Sequence, residues 1–365
     1  MRSELVSVIM PAFNAEQYIA EAIESLLRQS YADWELIIVD DGSTDQTAVI
    51  ISQFTDARIK VIHQPNQGEA AARNTALGVA EGEFLAYLDA DDLYLPDHLA
   101  ITVRFLQSHP EVQGVYTDGF YCDSAGNQIQ SLSSRRRGPF QGRIFEEVVR
   151  GSDVFGPPLC VVLRREPILQ YQLAYDTNII IGPDWDFFVR YAEVASFGYV
   201  DAYTCLYRVH QTNITTQIKS DRRALELAKC RLNAIKLAGF KDCSVEIRAQ
   251  VFYDLLVHLL RSVPERQEEI IAGSEFADLP PEKQAWVLRM MASKAVLRGE
   301  QHHYIQDWFR RSSELDPGDR RSMVVSGLYQ ISPPLCRRVL RIRTMKEVDL
   351  YYLPPFADLQ PVQSS

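Results

Sequence analysis

No C-x-x-C pair, no G-x-G-x-x-G turn and no run of twenty apolar residues occurs in this chain of 365 residues. Without the first, the six cysteines at 122, 160, 205, 230, 243 and 336 form neither a zinc knuckle nor a disulfide framework. They read instead as scattered, mostly buried thiols of a reducing compartment. The second absence removes dinucleotide-dependent dehydrogenases, and the third removes a membrane span. Met1-Arg2-Ser3-Glu4-Leu5 runs straight into an apolar strand with no small-residue cleavage site, so no secretory leader is expected. The Asn213-Ile214-Thr215 sequon is then expected to be idle. Cations are also short. Lys and Arg number 38 against 48 Asp and Glu, a net charge of -10, and a nucleic-acid partner is excluded for want of a basic face. What remains is an ordinary globular composition, 46% hydrophobic and 24% charged, in a chain long enough for two domains.

Apolar, β-branched runs alternate with helical patterns through the first half. Val6 to Met10, Glu35 to Val39, Arg58 to Ile62 and Phe84 to Leu88 read as strands. Between them, Ile19, Ile23, Leu26 and Leu27 share one helical face behind a possible Asn14 cap. Val49, Ile50 and Phe54 follow Ser43 or Thr44 as cap, and residues 69–80 are Ala-rich. This alternation predicts a parallel sheet covered by helices on both faces. A helix from Pro96, strands at Val115–Thr117, Cys160–Leu163 and Tyr199–Tyr207, and a helix at Trp185–Val194 complete the domain. Residues 123–143 are polar and read as a flexible loop or hairpin, with Arg135-Arg136-Arg137 as a solvated charge run. After Gln211 strand signals fade. The expected organisation is a domain over 1–220, a helical domain over 221–346 and a loosely ordered tail over 347–365. Trp286–Pro317 resembles one tetratricopeptide-like hairpin.

Two acidic signatures stand where strands end: Val39-Asp40-Asp41-Gly42-Ser43-Thr44-Asp45 and Leu88-Asp89-Ala90-Asp91-Asp92. In an open parallel sheet the carboxyl ends of strands form the ligand crevice. Carboxylates crowded there are poor core material and good partners for a nucleotide and a divalent cation. Arg73 is the one long cation in a helix of small residues and can reach a base or a diphosphate. The hard oxygens of Asp89 and Asp91 suit Mg²⁺ or Mn²⁺.

Met10-Pro11-Ala12-Phe13-Asn14-Ala15-Glu16, the Asp40–Asp45 segment, Gln67-Gly68 through Ala72-Arg73-Asn74, and Leu88–Asp92 occur in that order. Together they resemble the family 2 glycosyltransferases of the GT-A fold, over roughly residues 5–215. The resemblance implies an inverting enzyme with a nucleotide-sugar donor, UDP-linked for preference, held by Pro11, Ala12, Asn14, Asp40, Asp41, Gly68, Arg73 and Asp89. It implies Mg²⁺ or Mn²⁺ on Asp91, with Asp89 near ribose or metal and His210 as a further possible ligand. Gly182-Pro183-Asp184-Trp185-Asp186-Phe187 matches the family's catalytic segment, except that Pro183 replaces the usual Glu. Asp184 is the implied general base, and a helix cap is the competing role for Asp184 or Asp186. The acceptor, a carbohydrate or lipid-linked hydroxyl, is expected near Gly156, Pro157 and Trp185, although Trp185 suits the core equally well. A cytoplasmic location follows, with at most peripheral membrane contact through the basic, amphipathic residues 335–346. Two other readings stay open. A sugar nucleotidyltransferase lacks here the Gly-rich basic loop that a triphosphate needs, and a nucleotide-sugar-binding interaction protein is opposed by four intact carboxylates at 40, 89, 91 and 184.

Overall fold

The expected strands form because their residues are apolar and β-branched on both sides. Val6, Val8, Ile9 and Met10 of β1 (Arg2–Ala12), and Leu36 to Val39 of β2 (Trp34–Asp40), are wholly buried. This computed structural model describes residues 2–210, Asn213, 220–260, 264–300 and 304–344. Among these it separates two compact units, one extending to Asn213 and the other built from residues 220 to 344. The expected tail at 347–365 lies outside the described residues.

In the first unit, β1 pairs in parallel with β2 and with β4 (Gly82–Tyr87), and β2 pairs in parallel with β3 (Ile59–His63). Helices α1 (Ile19–Leu27), α2 (Thr47–Ile51) and α3 (Glu69–Val79) make the crossovers. The sheet continues through β8 (Val161–Arg164), antiparallel to both β4 and β6 (Gly114–Cys122), then to β9 (Phe197–Arg208), which is parallel to β6. The two-residue β5 (Leu93–Tyr94) closes the far edge against β9, giving the order β3-β2-β1-β4-β8-β6-β9-β5. Strand β7 (Gln128–Ser131) hairpins onto β6. Strand order runs outward from β1 in opposite directions, to β2 and β3 on one side and to β4 on the other, so the crevice beyond the ends of β1, β2 and β4 is the topological switch point.

Three local expectations are corrected. Asn14 does not cap α1. It sits in the left-handed region (φ 48°) with its Oδ1 accepting the Thr44 N–H at 2.8 Å, while α1 begins five residues later. Neither Ser43 nor Thr44 caps α2; Asp45 Oδ1 receives the Thr47 N–H at 2.9 Å. The Arg135–Arg137 run is not a solvated face. Arg136 is buried with its guanidinium 3.0 Å from Asp118 and donates to the carbonyls of Thr117 and Phe155, while Arg137 is paired with Glu147 and Asp153. Removing one partner of a buried pair leaves the other charge uncompensated. Arg136→Met is therefore expected to lower stability by about 3–5 kcal/mol, seen as an earlier urea midpoint; an unchanged midpoint would show that Asp118 needs no cation.

The second unit is helical throughout its described residues: α8 (Ser220–Ala234), α9 (Val245–His258), α10 (Pro264–Ile271), α11 (Ser274–Ala277), α12 (Pro281–Arg298), α13 (Tyr304–Leu315), α14 (Arg320–Ile331) and α15 (Pro333–Thr344). Helix α12 packs against α9, α13 and α15, with Trp308 and Phe309 of α13 fully buried.

Candidate functional site

The β2 carboxylates divide their work. Asp40, 4% exposed, accepts the Ser43 N–H at 3.0 Å and lies 2.9 Å from His63 Nδ1. Burial opposes its charge, but the hydrogen bonds from Ser43 and His63 outweigh that and hold its carboxyl below the ordinary range. Asp41 faces its own chain instead. Its oxygens accept from the Gln64 side chain and from the N–H groups of Gln67 and Gly68 at 2.7–2.9 Å. Asp41 thus sets the loop that delivers Gly68, which at φ 89° stands immediately before α3. That loop points the first turn of α3 at the crevice. Ala12 stands level with Asp40 in the β1–β2 register, and Pro11 lies half-buried one residue earlier.

Arg73 crosses from α3 to the second acidic signature. It is 1% exposed, with one terminal nitrogen 2.6 Å from Glu69 Oε1 and the other donating to Asp89 Oδ1 at 2.8 Å. The guanidinium is thus clasped by two carboxylates, the planar geometry for which arginine is suited. Burial pushes the Glu69 carboxyl up to about 7; Arg73 opposes this, and the nearby Asp89, Asp184 and Asp91 reinforce it. Asp89 is raised for the same leading reason, burial, against the pull of Arg73. Four carboxylates from three separate segments therefore share one field with the buried guanidinium of Arg73.

Asp91 meets a partner from the far end of the domain. Its Oδ2 is 2.9 Å from His210 Nε2 and 3.4 Å from Asn213 Nδ2. Pairing of Leu93 with Leu206 across β5 and β9 brings these segments side by side. Arg208 completes the junction. Fully buried over the Tyr18 ring, it donates from its side chain to the Asp91 carbonyl and pairs with Glu21, while its own N–H donates to Asp92 Oδ1 at 2.8 Å. Asp92 thus binds β9 rather than α4 (His98–Ser108). Asn213, noticed in the sequence only as a sequon, is 8% exposed and its Oδ1 accepts the His210 N–H.

Asp184 is carried on α7 (Pro183–Val194), which starts at Gly182 in the left-handed region (φ 76°) with Pro183 in its first turn. Phe187 of α7 stacks on Tyr175 at 4.3 Å, and Asn74 of α3 grips the Tyr175 backbone through both its amide atoms. This bridge sets α7 beside α3, and Asp184 lies near enough to bear on the charges of Glu69, Arg73 and Asp89. Asp184 is half-buried, whereas Asp186 is buried and pairs with Arg190 at 2.6 Å. Trp185 belongs to the core: 4% exposed, its indole N–H donates to the Val148 carbonyl at 2.8 Å, and no ring face is open to a sugar. Gly156, at φ 77°, packs beside Arg136, and Pro157 follows it half-buried.

Glu69, Arg208, Tyr18, Tyr175 and Asn213 were not singled out as site residues from the sequence. Arg208 had a visible signal, directly following the expected Tyr199–Tyr207 strand and two residues before His210; the others had none beyond residue type. Among the described residues no three His, Cys, Asp or Glu side chains are grouped to hold a metal by themselves. The donor set still fits a hard cation completed by phosphate oxygens, since Mg²⁺ commonly takes one or two carboxylates plus its substrate's phosphates. Asp91 is the side chain suited to it, with His210 alongside.

The model of Glycosyl transferase family 2 matches residues 7–171. A Haemophilus influenzae protein described as an uncharacterized glycosyltransferase is 43% identical over 143 residues, 38% of this chain and 56% of that protein. The Escherichia coli UDP-Glc:alpha-D-GlcNAc-diphosphoundecaprenol beta-1,3-glucosyltransferase WfgD is 44% identical over 107 residues, 29% of this chain and 42% of WfgD. The chain spans 31% to 56% of the length of the first curated relatives it matches. Among solved structures, S. aureus TarS 1-349 in complex with UDP-GlcNAc is similar in fold, with a TM-score of 0.56 at 16% identity, covering 93% of this chain and 91% of that one.

Proposed function

From the match of residues 7–171 to the glycosyl transferase family 2 model, we propose that this chain moves a sugar from a nucleoside-diphosphate donor to a hydroxyl acceptor with inversion. The observation that supports this most is the convergence of Asp89, Asp91 and Asp184 around Arg73, beside the β1 and β2 ends that carry Ala12 and Asp40. Asp40 takes the base of the nucleotide, with Pro11, Ala12 and Asn14 alongside. Arg73, held between Glu69 and Asp89, faces the diphosphate. Asp184 accepts the proton of the acceptor hydroxyl as its oxygen bonds to the anomeric carbon. The bond from that carbon to the diphosphate oxygen breaks on the opposite face, and the electron pair leaves with the nucleoside diphosphate. Asp91, with His210 beside it, would hold a divalent ion, whose Lewis acidity would be available to the charge on the departing diphosphate. UDP-linked donors are favoured by analogy with WfgD and with the UDP-GlcNAc complex of TarS. The printed acceptor of WfgD argues for a lipid-linked acceptor in surface glycan synthesis. No helix among the described residues is long and apolar enough to cross a membrane.

The test is donor hydrolysis across UDP-, GDP- and dTDP-sugars, with and without Mn²⁺, for the wild type and Asp91→Ala. Wild-type turnover of one nucleotide class that needs the metal, and loss of that dependence together with turnover in Asp91→Ala, is expected. Metal-independent hydrolysis unaffected by the substitution rules out the role given to Asp91.

A further inference from the structure

The last two helices combine exposed apolar side chains with charge of one sign. Residues 320–344 contain six Arg (320, 321, 337, 338, 341 and 343) and no Asp or Glu, in a chain whose net charge is -10. Over the same stretch Met323 (50%), Val324 (52%), Ile331 (82%), Leu335 (46%) and Ile342 (67%) are exposed. Their spacing places them on faces. On α14, Arg320, Val324 and Ile331 recur at i, i+4 and i+11. On α15, Leu335, Arg338 and Ile342 recur at i, i+3 and i+7. Beneath them Val325, Cys336 and Leu340 are buried, and Arg337 anchors α15 to α12 by donating to the Val296 carbonyl at 2.8 Å. Only Ser332 separates the two helices, so Ile331 and Leu335 flank the same corner.

We propose that this surface docks onto an anionic lipid bilayer. Apolar side chains interleaved with arginines suit the headgroup boundary, where the hydrocarbon tips enter and the guanidiniums stay with the phosphates. A second copy is a poor occupant. A two-fold contact sets the same patch against itself and opposes its arginines with an identical set, while Glu282, Asp316 and Asp319 lie only at the Arg321 end. The surface is built from residues of the second unit and the proposed transfer site from residues of the first, so the two readings stand or fall separately.

The test is co-sedimentation of the full chain with vesicles of phosphatidylcholine alone or mixed with phosphatidylglycerol, at low and raised salt. Binding to the mixed vesicles only, weakened by salt, is expected. The triple variant Arg320→Gln, Arg321→Gln, Arg338→Gln is expected to bind about 100-fold more weakly, each basic residue near an anionic surface being worth about fivefold. Ile331→Ser with Ile342→Ser is expected to weaken binding at both salt concentrations. An unchanged thermal midpoint shows that these variants remain folded, and donor hydrolysis in the absence of lipid reports separately on the reaction site. No sedimentation, equal sedimentation with neutral vesicles, undiminished binding by the triple variant, or a soluble dimer that ignores vesicles overturns the proposal.

Discussion

Asp184→Asn is expected to reduce sugar transfer by about 10²–10⁴-fold, the usual worth of a positioned general base, while leaving donor binding intact. The substitution preserves size and any hydrogen bond that α7 draws from this side chain, so the helix keeps its start at Gly182 and its Tyr175–Phe187 stack. The negative charge is lost, and with it the capacity to take a proton. Calorimetric titration with the nucleoside diphosphate and single-turnover transfer to acceptor therefore separate the two contributions. Near-normal transfer with intact binding removes Asp184 as the base and leaves it as a first-turn acid of a helix. Weakened nucleotide binding with an unchanged single-turnover rate places it on the donor side instead.

Arg73→Met is expected to act on both stability and the donor. The guanidinium is almost entirely enclosed, and without it the carboxylates of Glu69 and Asp89 face each other and Asp91 uncompensated. Breaking a buried pair costs about 3–5 kcal/mol, and the low end is expected because Glu69 and Asp89 keep 33% and 24% of their side-chain exposure. A urea midpoint measured on the full chain reads this directly. Adding Glu69→Gln to Arg73→Met is expected to recover little near neutral pH, since burial already pushes Glu69 up to about 7 and loss of Arg73 raises it further, leaving that carboxyl protonated. Arg73→Lys keeps the charge but not the two-pronged contact, and is expected to hold stability better than donor affinity. An unchanged midpoint in Arg73→Met shows that the acidic cluster is balanced by solvent and not by this arginine.

The strands and crossover helices of the first unit were legible because each is long enough for its period to show, and because acids and Pro or Gly punctuate their ends. Asp40, Asp89, Asp91 and Asp184 were legible for a related reason: carboxylates placed where a buried strand stops, or where a helix opens, have no use in the core. Less legible was the division of labour between neighbours. Asp40 and Asp41 are adjacent and chemically alike, yet the alternation of a strand sends one toward His63 and the other into the 64–68 loop. Arg136 looked like surface because three arginines in a row imply solvent. It is buried because Asp118 on β6 and two backbone carbonyls wait beneath it.

Local pattern, then, dictated the order of elements and the acid-bearing strand ends, since hydrophobic periodicity and chain punctuation act over a few residues. Tertiary structure alone decided who meets whom: His210 and Asn213 at Asp91, Arg208 behind it, Glu69 and Asp89 on either side of Arg73, and Trp185 in the core. Those encounters depend on strand order and register across more than a hundred residues, and an amino-acid sequence read in short windows carries no term for them.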